Sequence, residues 1–244
     1  MKRTLAIGLC AAALASLAHA DRYWVAYEGD DYPENEGWER LNFGDGPANR
    51  TLENGVLTID SLWSMNISDF YRLERPLNPG SGETFVMEWR LRVNEVVDNG
   101  PRLVDPSIGL FSDDDWGLGF EFGVDSLRSV FEDDVTYLFD PGHFHEYRAS
   151  SADMRTYELF MDNELIHDGL FWEPASTSSR VAWGDGIQGA ASSADWDYFR
   201  FGVIPEPASG LLAAMMVVMY KGRYRHVSRS YDSDCRRSQY SVHF

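Results

Sequence analysis

Three groups of residues have types and spacings suited to chemistry. Along Asp195-Trp-Asp-Tyr-Phe-Arg-Phe201, strict alternation puts Trp196, Tyr198 and Arg200 on one face, opposite Asp197, Phe199, Phe201 and Val203. The second set has core character. The first therefore presents two aromatic rings and a guanidinium, the combination that packs on and hydrogen-bonds to a sugar. Glu88, Arg90, Arg92 and Glu121, at wet positions of other strands, would join them on a concave surface. The competing account packs Trp196 and Tyr198 beneath a loop. Asp113-Asp114-Asp115 offers hard oxygen ligands on an inter-strand loop. Calcium takes such donors when carbonyls complete a shell of ~6–8 oxygens, though a solvated acidic turn has the same composition. His143-x-His145 would project two imidazoles from one strand face, but Glu146 projects from the other. A zinc set would lack its third ligand there.

The elements that must hold these groups are strands. Helical periodicity is nearly absent, and short apolar or alternating runs are separated by Gly, Pro, Asn and Asp. Thr84 to Val97 is the clearest strand. Phe85, Met87, Trp89, Leu91 and Val93 alternate with Glu88, Arg90, Arg92 and Asn94, one face for a core and one for water. Further strands are expected at Tyr23–Tyr27, up to Asp60 after an Asn54-Gly55 turn, at Ile67–Arg75, Pro106–Phe111 and Trp116–Val124. Others follow at Leu127–Phe131, Val135–Phe139, His143–Arg148, Arg155–Gly169, Arg180–Gly184 and Asp195–Phe201. Glu28–Glu39 reads as an acidic loop. Within Trp116–Val124, the phase Gly119, Glu121, Gly123 leaves room for something to approach the backbone. Many evenly spaced strands with one alternating core face predict an all-β, double-sheet jelly roll.

The two ends differ from this body. Lys2-Arg3, the apolar Thr4–Leu17 and the small-x-small Ala18-His19-Ala20 form a secretory signal peptide over residues 1–20. The whole chain has 39 acidic against 21 basic residues, a net charge of −18. Both lysines (Lys2, Lys221) and both cysteines (Cys10, Cys235) lie in the ends, so residues 21–204 contain neither. An acidic surface of this kind repels nucleic acid and anionic lipid. Without disulfides or a thiolate metal site, the body depends on packing its many aromatic rings. No Gly-x-Ser-x-Gly occurs and nothing sets a His beside a Ser, which argues against a Ser-His-Asp hydrolase.

Pro205-Glu206-Pro207, the uncharged run Ala208–Tyr220 and the basic Lys221–Arg225 close the body. They resemble the PEP-CTERM sorting signal of Gram-negative envelopes. That resemblance implies handling by an exosortase-type enzyme, transient membrane anchoring through a short hydrophobic helix at 208–220, and association with exopolysaccharide. Residues 205–225 are then the sorting segment and 226–244 a polar basic tail. Trp172-Glu-Pro-Ala-Ser176 repeats the Glu-Pro-Ala-Ser string, but polar residues follow it, so it reads as a loop.

Inside the body, His145-Glu-Tyr147, the Tyr157-to-Asn163 hairpin, Trp183-Gly184 and the closing Asp195-Trp-Asp-Tyr198 resemble the concanavalin A-like lectin/glucanase superfamily, including laminin-G-like domains. The resemblance implies a jelly roll over residues 21–204, with calcium on a rim loop such as Asp113–Asp115. Glucanases of that fold carry Glu-x-Asp-x-x-Glu on one strand. Here Glu121-Phe-Gly-Val-Asp125 has a different spacing, and the Arg-rich and Gln-x-His strands of alginate lyases are missing. The expectation is an exported surface or matrix protein that contacts extracellular polysaccharide without transforming it. The alternatives are a structural matrix component without a specific ligand, and a glycan hydrolase or lyase.

Overall fold

Period-two alternation from Phe85 to Val93 can bury only one face, and a strand this long needs a partner of equal length. It finds one in the closing segment of the body. In the computed structural model, which describes residues 25–98, 106–111, 116–130, 136–173, 179–186 and 189–205, two 16-residue strands pair antiparallel along their whole length.

Around that pair lies the first of two sheets. Its strands are β1 (Val25–Tyr27), β3 (Asn49–Glu53), β4 (Val56–Asp60), β6 (Glu83–Asp98), β11 (His145–Ser151), β12 (Thr156–Met161), β13 (Glu164–Leu170) and β15 (Ala190–Pro205). They run in the order β13-β12-β11-β6-β15-β4-β3. β15 is long enough to take β4 along its first half and β1 along its second. The second sheet comprises β2 (Glu39–Gly44), β5 (Ile67–Glu74), β7 (Ser107–Phe111), β8 (Gly117–Phe122), β9 (Ser126–Ser129), β10 (Thr136–Leu138) and β14 (Arg180–Asp185). Its order is β10-β9-β8-β7-β14-β5-β2. Every strand pair is antiparallel, so the architecture is the all-β double-sheet jelly roll expected of the sequence.

Two tight hairpins show local sequence at work. Asn54-Gly55 (φ 54° and 82°) joins β3 to β4, and Asp162-Asn163 (φ 50° and 68°) joins β12 to β13. Positive φ at both central residues matches the right-handed twist of the flanking strands, and Asn, Asp and Gly tolerate it best.

The inner faces meet in a core of rings. Trp89 from the first sheet stacks on Tyr147 at 5.4 Å and on Phe120 of the opposite sheet at 5.8 Å. Trp183 from the second sheet stacks on Phe199 at 5.4 Å and meets Trp196 and Tyr71 at 4.9 Å each. Trp38, just after a short 3-10 turn (Pro33–Glu36), sets its edge against Trp183, Phe199 and Phe201. Each such pair adds ~0.5–1.5 kcal/mol beyond the area it buries, which suits a body without disulfides.

Two differences from the sequence reading have clear causes. β2 was not anticipated, because Leu41 and Phe43 fall in the outward phase and the core has no claim on them. It is held instead by Arg40, which pairs with the buried Asp69, and by Glu39, 2.7 Å from Arg72. β15 begins at Ala190 rather than Asp195, on a run of small buried residues that carries little strand character of its own. The signal peptide, the C-terminal hydrophobic helix and the polar tail fall outside the described residues. Among those described, no helix is long and apolar enough to cross a membrane.

Burial pushes the phenols of Tyr27, Tyr71 and Tyr147 above their ordinary value; Tyr71, partly offset by Arg50, reaches about 12. An unfolded tyrosine ionises near ~10, so the folded state holds these protons more tightly. Their contribution to stability is complete below about pH 10 and is lost as pH rises through the folded values. Absorbance titration at tyrosinate wavelengths should show these rings ionising in one cooperative step with unfolding, displaced above the ordinary value of about pH 10. Gradual ionisation near pH ~10 in a still-folded protein would contradict their burial.

Candidate functional site

The outer face of the first sheet was expected to carry the sugar-binding platform, and the register of β15 changes that. Trp196 pairs with Leu91 and Tyr198 with Arg90, so Asp197 is an extra residue on β15. A bulge of this kind shifts the phase of a strand. Trp196 consequently points inward with Phe199 and Phe201, is 0% exposed, and packs against Trp183. It is a core residue, and the proposed plate of Trp196, Tyr198 and Arg200 does not exist as a unit.

Tyr198 and Arg200 do remain outside, joined by Glu88, Arg90 and Arg92 as expected. Arg200 lies over the Tyr198 ring at 4.7 Å and is 2.8 Å from Glu88. Arg90 pairs with Asp197, and Arg92 with Asp195, which also accepts a 2.7 Å hydrogen bond from Thr58. Phe144 lies beneath both Arg90 and Arg92. Burial first, and the charge of Glu146 second, raise the Tyr198 phenol to about 12. This face is a ladder of cation–carboxylate pairs with its aromatic ring already covered.

The two histidines separate. His145 is buried, with Nδ1 2.7 Å from Asp162 Oδ2 and Nε2 2.9 Å from the Asp140 carbonyl oxygen, while His143 is exposed. Among the described residues no group of three or more His, Cys, Asp or Glu could hold a metal ion. Asp113, Asp114 and Asp115 lie outside those residues, as do Glu206 and Pro207; Pro205 is the last residue of β15.

Glu121 belongs to the other sheet, and there the phase of small residues in β8 does leave room. Glu39, Arg72, Ala182, Gly109 and Gly119 follow one another across β2, β5, β14, β7 and β8. The adjacent row is Leu41, Phe70, Gly184, Ser107, Glu121 and Arg128. The middle of both rows is nearly bare of side chains, and a trough of about 390 Å³ lies over it. That is within the ~300–1,000 Å³ of small-molecule sites. Gly184 cannot be otherwise: its φ is 134°, and a Cβ there would sit 2.9 Å from the Phe70 Cα.

One wall is aromatic and cationic. Phe43, 52% exposed, lies 6.1 Å from Phe70, with Arg72 and Arg180 beside them. Arg72 is held by Glu39, while burial and the neighbouring Arg72 charge lower the pKa of Arg180. The other wall is Val130 and the ion pair of Glu121 with Arg128. Among the described lining residues Glu121 is the one carboxylate, and Arg128 neutralises it.

Among solved structures, the chain is similar to a carbohydrate esterase from a Shiga toxin-encoding bacteriophage, with a TM-score of 0.52 at 9% identity over 74% of this chain and 97% of that one. This likeness supports the two-sheet fold. More distant are the cellulose-induced protein Cip1 (TM-score 0.47, 11% identity, 74% of this chain and 97% of that one) and the Emp46p carbohydrate recognition domain (0.44, 12%, 72% and 91%). No family model and no curated protein sequence matches the chain.

Sequence reasoning found Gly119 and Glu121 but missed Phe43, Phe70, Arg72, Arg180 and Ala182. One signal was present: Phe70-Tyr71 puts aromatic rings on both faces of β5, which marks an outer face with apolar work to do.

The burial of Trp196 has a measurable consequence. Trp196→Ala should lower unfolding stability by about 3–5 kcal/mol, as for other buried tryptophans. Tyr198→Ala, on the outer face, should cost about 1 kcal/mol. Equal effects in urea unfolding would restore Trp196 to the surface.

Proposed function

We propose that this chain is a non-catalytic polysaccharide-binding protein and that the trough on the second sheet is its binding surface. The observation that carries the reading is the pairing of two aromatic rings, the exposed Phe43 and the half-buried Phe70, with Arg72 and Arg180 above a floor stripped to Gly109, Gly119 and Ala182. Sugar rings need an apolar plate for their C–H face and fork-shaped donors for their hydroxyls, and a bare floor lets the ring descend to the sheet. Glycoside hydrolysis by the usual route needs two carboxylates about 5–9.5 Å apart. The single, neutralised Glu121 among the described lining residues favours binding over turnover.

The setting belongs to the same proposal and is supported by sequence pattern alone. Residues 1–20 act as an export signal, and residues 205–225 as an exosortase-type sorting and anchoring segment. The jelly roll between them works at the surface or in the extracellular matrix of a Gram-negative bacterium. Calcium at Asp113–Asp115 is a proposed accessory.

Retention on a panel of soluble polysaccharides, with and without calcium, tests the reading. Phe43→Ala and Phe70→Ala should each weaken retention by roughly three- to tenfold while leaving thermal unfolding cooperative. Loss of retention on calcium removal would bring Asp113–Asp115 into the site. Unchanged retention in the double variant would move the site off the trough, and no retention on any glycan would favour a purely structural matrix role.

A further inference from the structure

The stretch Trp172-Glu-Pro-Ala-Ser176 reads in sequence as a loop, yet its first residue is fastened to the sheet that holds the trough. Gly117 N–H donates to the Trp172 carbonyl at 2.8 Å, and Trp172 N–H donates to the Gly117 carbonyl at 2.7 Å. Residues exchanging both hydrogen bonds in an antiparallel pair lie directly opposite and point to the same side. Gly117 shares the outward phase of Gly119 and Glu121, so Trp172 stands on the outer face of the second sheet. Its neighbour agrees: Phe171 is buried and sets its ring against Tyr157 at 5.9 Å.

Trp172 thus continues the wall beyond β8. Arg128 lies opposite Glu121, the Val130 N–H donates to the Gly119 carbonyl, and Trp172 lies opposite Gly117. As a diagonal neighbour of Gly119 it stands roughly 7–8 Å from the trough floor. It keeps 43% of its surface exposed, which is a large apolar area to leave in water. Between Phe70 on β5 and Trp172 there are four inter-strand steps through β14, β7 and β8, about 19 Å across the strands. No single sugar ring spans that distance.

We propose that Trp172 is a second aromatic subsite at the far edge of the trough, so that the occupant is an extended stretch of polysaccharide rather than a mono- or disaccharide. This rests on the trough being a glycan site and adds where the chain runs: across the strands, from the Phe43–Phe70 wall over the glycine floor to Trp172. An aromatic ring at each end holds a polymer by two separated contacts that one short oligosaccharide cannot make together.

The test uses the full chain, mixed-linkage β-glucan, xylan, galactomannan and alginate as probes, and di- to hexasaccharide ladders of each, read by calorimetry. On a probe that retains the protein, the hexasaccharide should bind at least tenfold tighter than the disaccharide. Trp172→Ala should lose roughly three- to tenfold on the hexasaccharide and nothing on the disaccharide, with Trp172→Phe recovering most of it. Near-ultraviolet circular dichroism confirms that both variants fold. Trp172→Ala binding the hexasaccharide as wild type does, or losing equally on both lengths, overturns the subsite. If Phe70→Ala still weakens binding in that case, the trough reading survives without it. Retention on no probe, or retention indifferent to Phe43 and Phe70, overturns the trough itself and the subsite with it.

Discussion

The sixteen residues of β6 lie against the sixteen of β15, and the rest of the described body is arranged by that ladder. β11, β12 and β13 extend it on one side; β4, β3 and β1 extend it on the other. Trp89, Trp196, Phe199 and Phe201 hang from it into the space between the sheets, where Trp183 and Phe120 meet them. On its outer side the same ladder brings Glu88 opposite Arg200 and Arg92 opposite Asp195. Opposite charges directly across a strand pair are mildly favourable and like charges are not. The outer face of the first sheet is therefore charged and self-satisfied, and an incoming ligand there would have to break an existing pair before forming a new one.

The second sheet solves the problem of its outer face differently. Where the first sheet fills its exterior with long paired side chains, the second removes side chains from the middle and keeps rings and guanidiniums at the sides. Gly109, Gly119, Ala182 and Gly184 come from three strands, β7, β8 and β14, and they meet because β14 pairs with β7 across a long sequence gap. No one strand contains the trough. It is a property of register.

That difference explains what the sequence could and could not reveal. The alternation in β6, the Asn54-Gly55 and Asp162-Asn163 turns, and the glycine phase of β8 are local signals, and each led to the right element. A bulge leaves no trace in a period-two pattern, so Trp196 was set beside Tyr198 when one extra residue separates their faces. The trough wall was hidden for another reason. Nothing local in Leu41, Phe43 and Phe70 marks an outward face, and their placement is decided by Tyr71, which occupies the inward phase of β5 against Trp183. Trp172 was hidden by its polar followers, although the two hydrogen bonds to Gly117 make it strand-like at that one position.

The extra residue at Asp197 also governs how this chain can change in length. Without Asp197, β15 would run in unbroken alternation with Trp196, Phe199 and Phe201 all still facing inward. Without Arg200, Phe201 would turn out into water and its packing against Trp38 would be lost. The strand can lose a single residue at the bulge, and beyond it tolerates changes only in twos. A segment that fixes the inside and outside of the body thus has, at Asp197, a position where the loss of one residue keeps every ring facing as before, at the cost of the pair with Arg90.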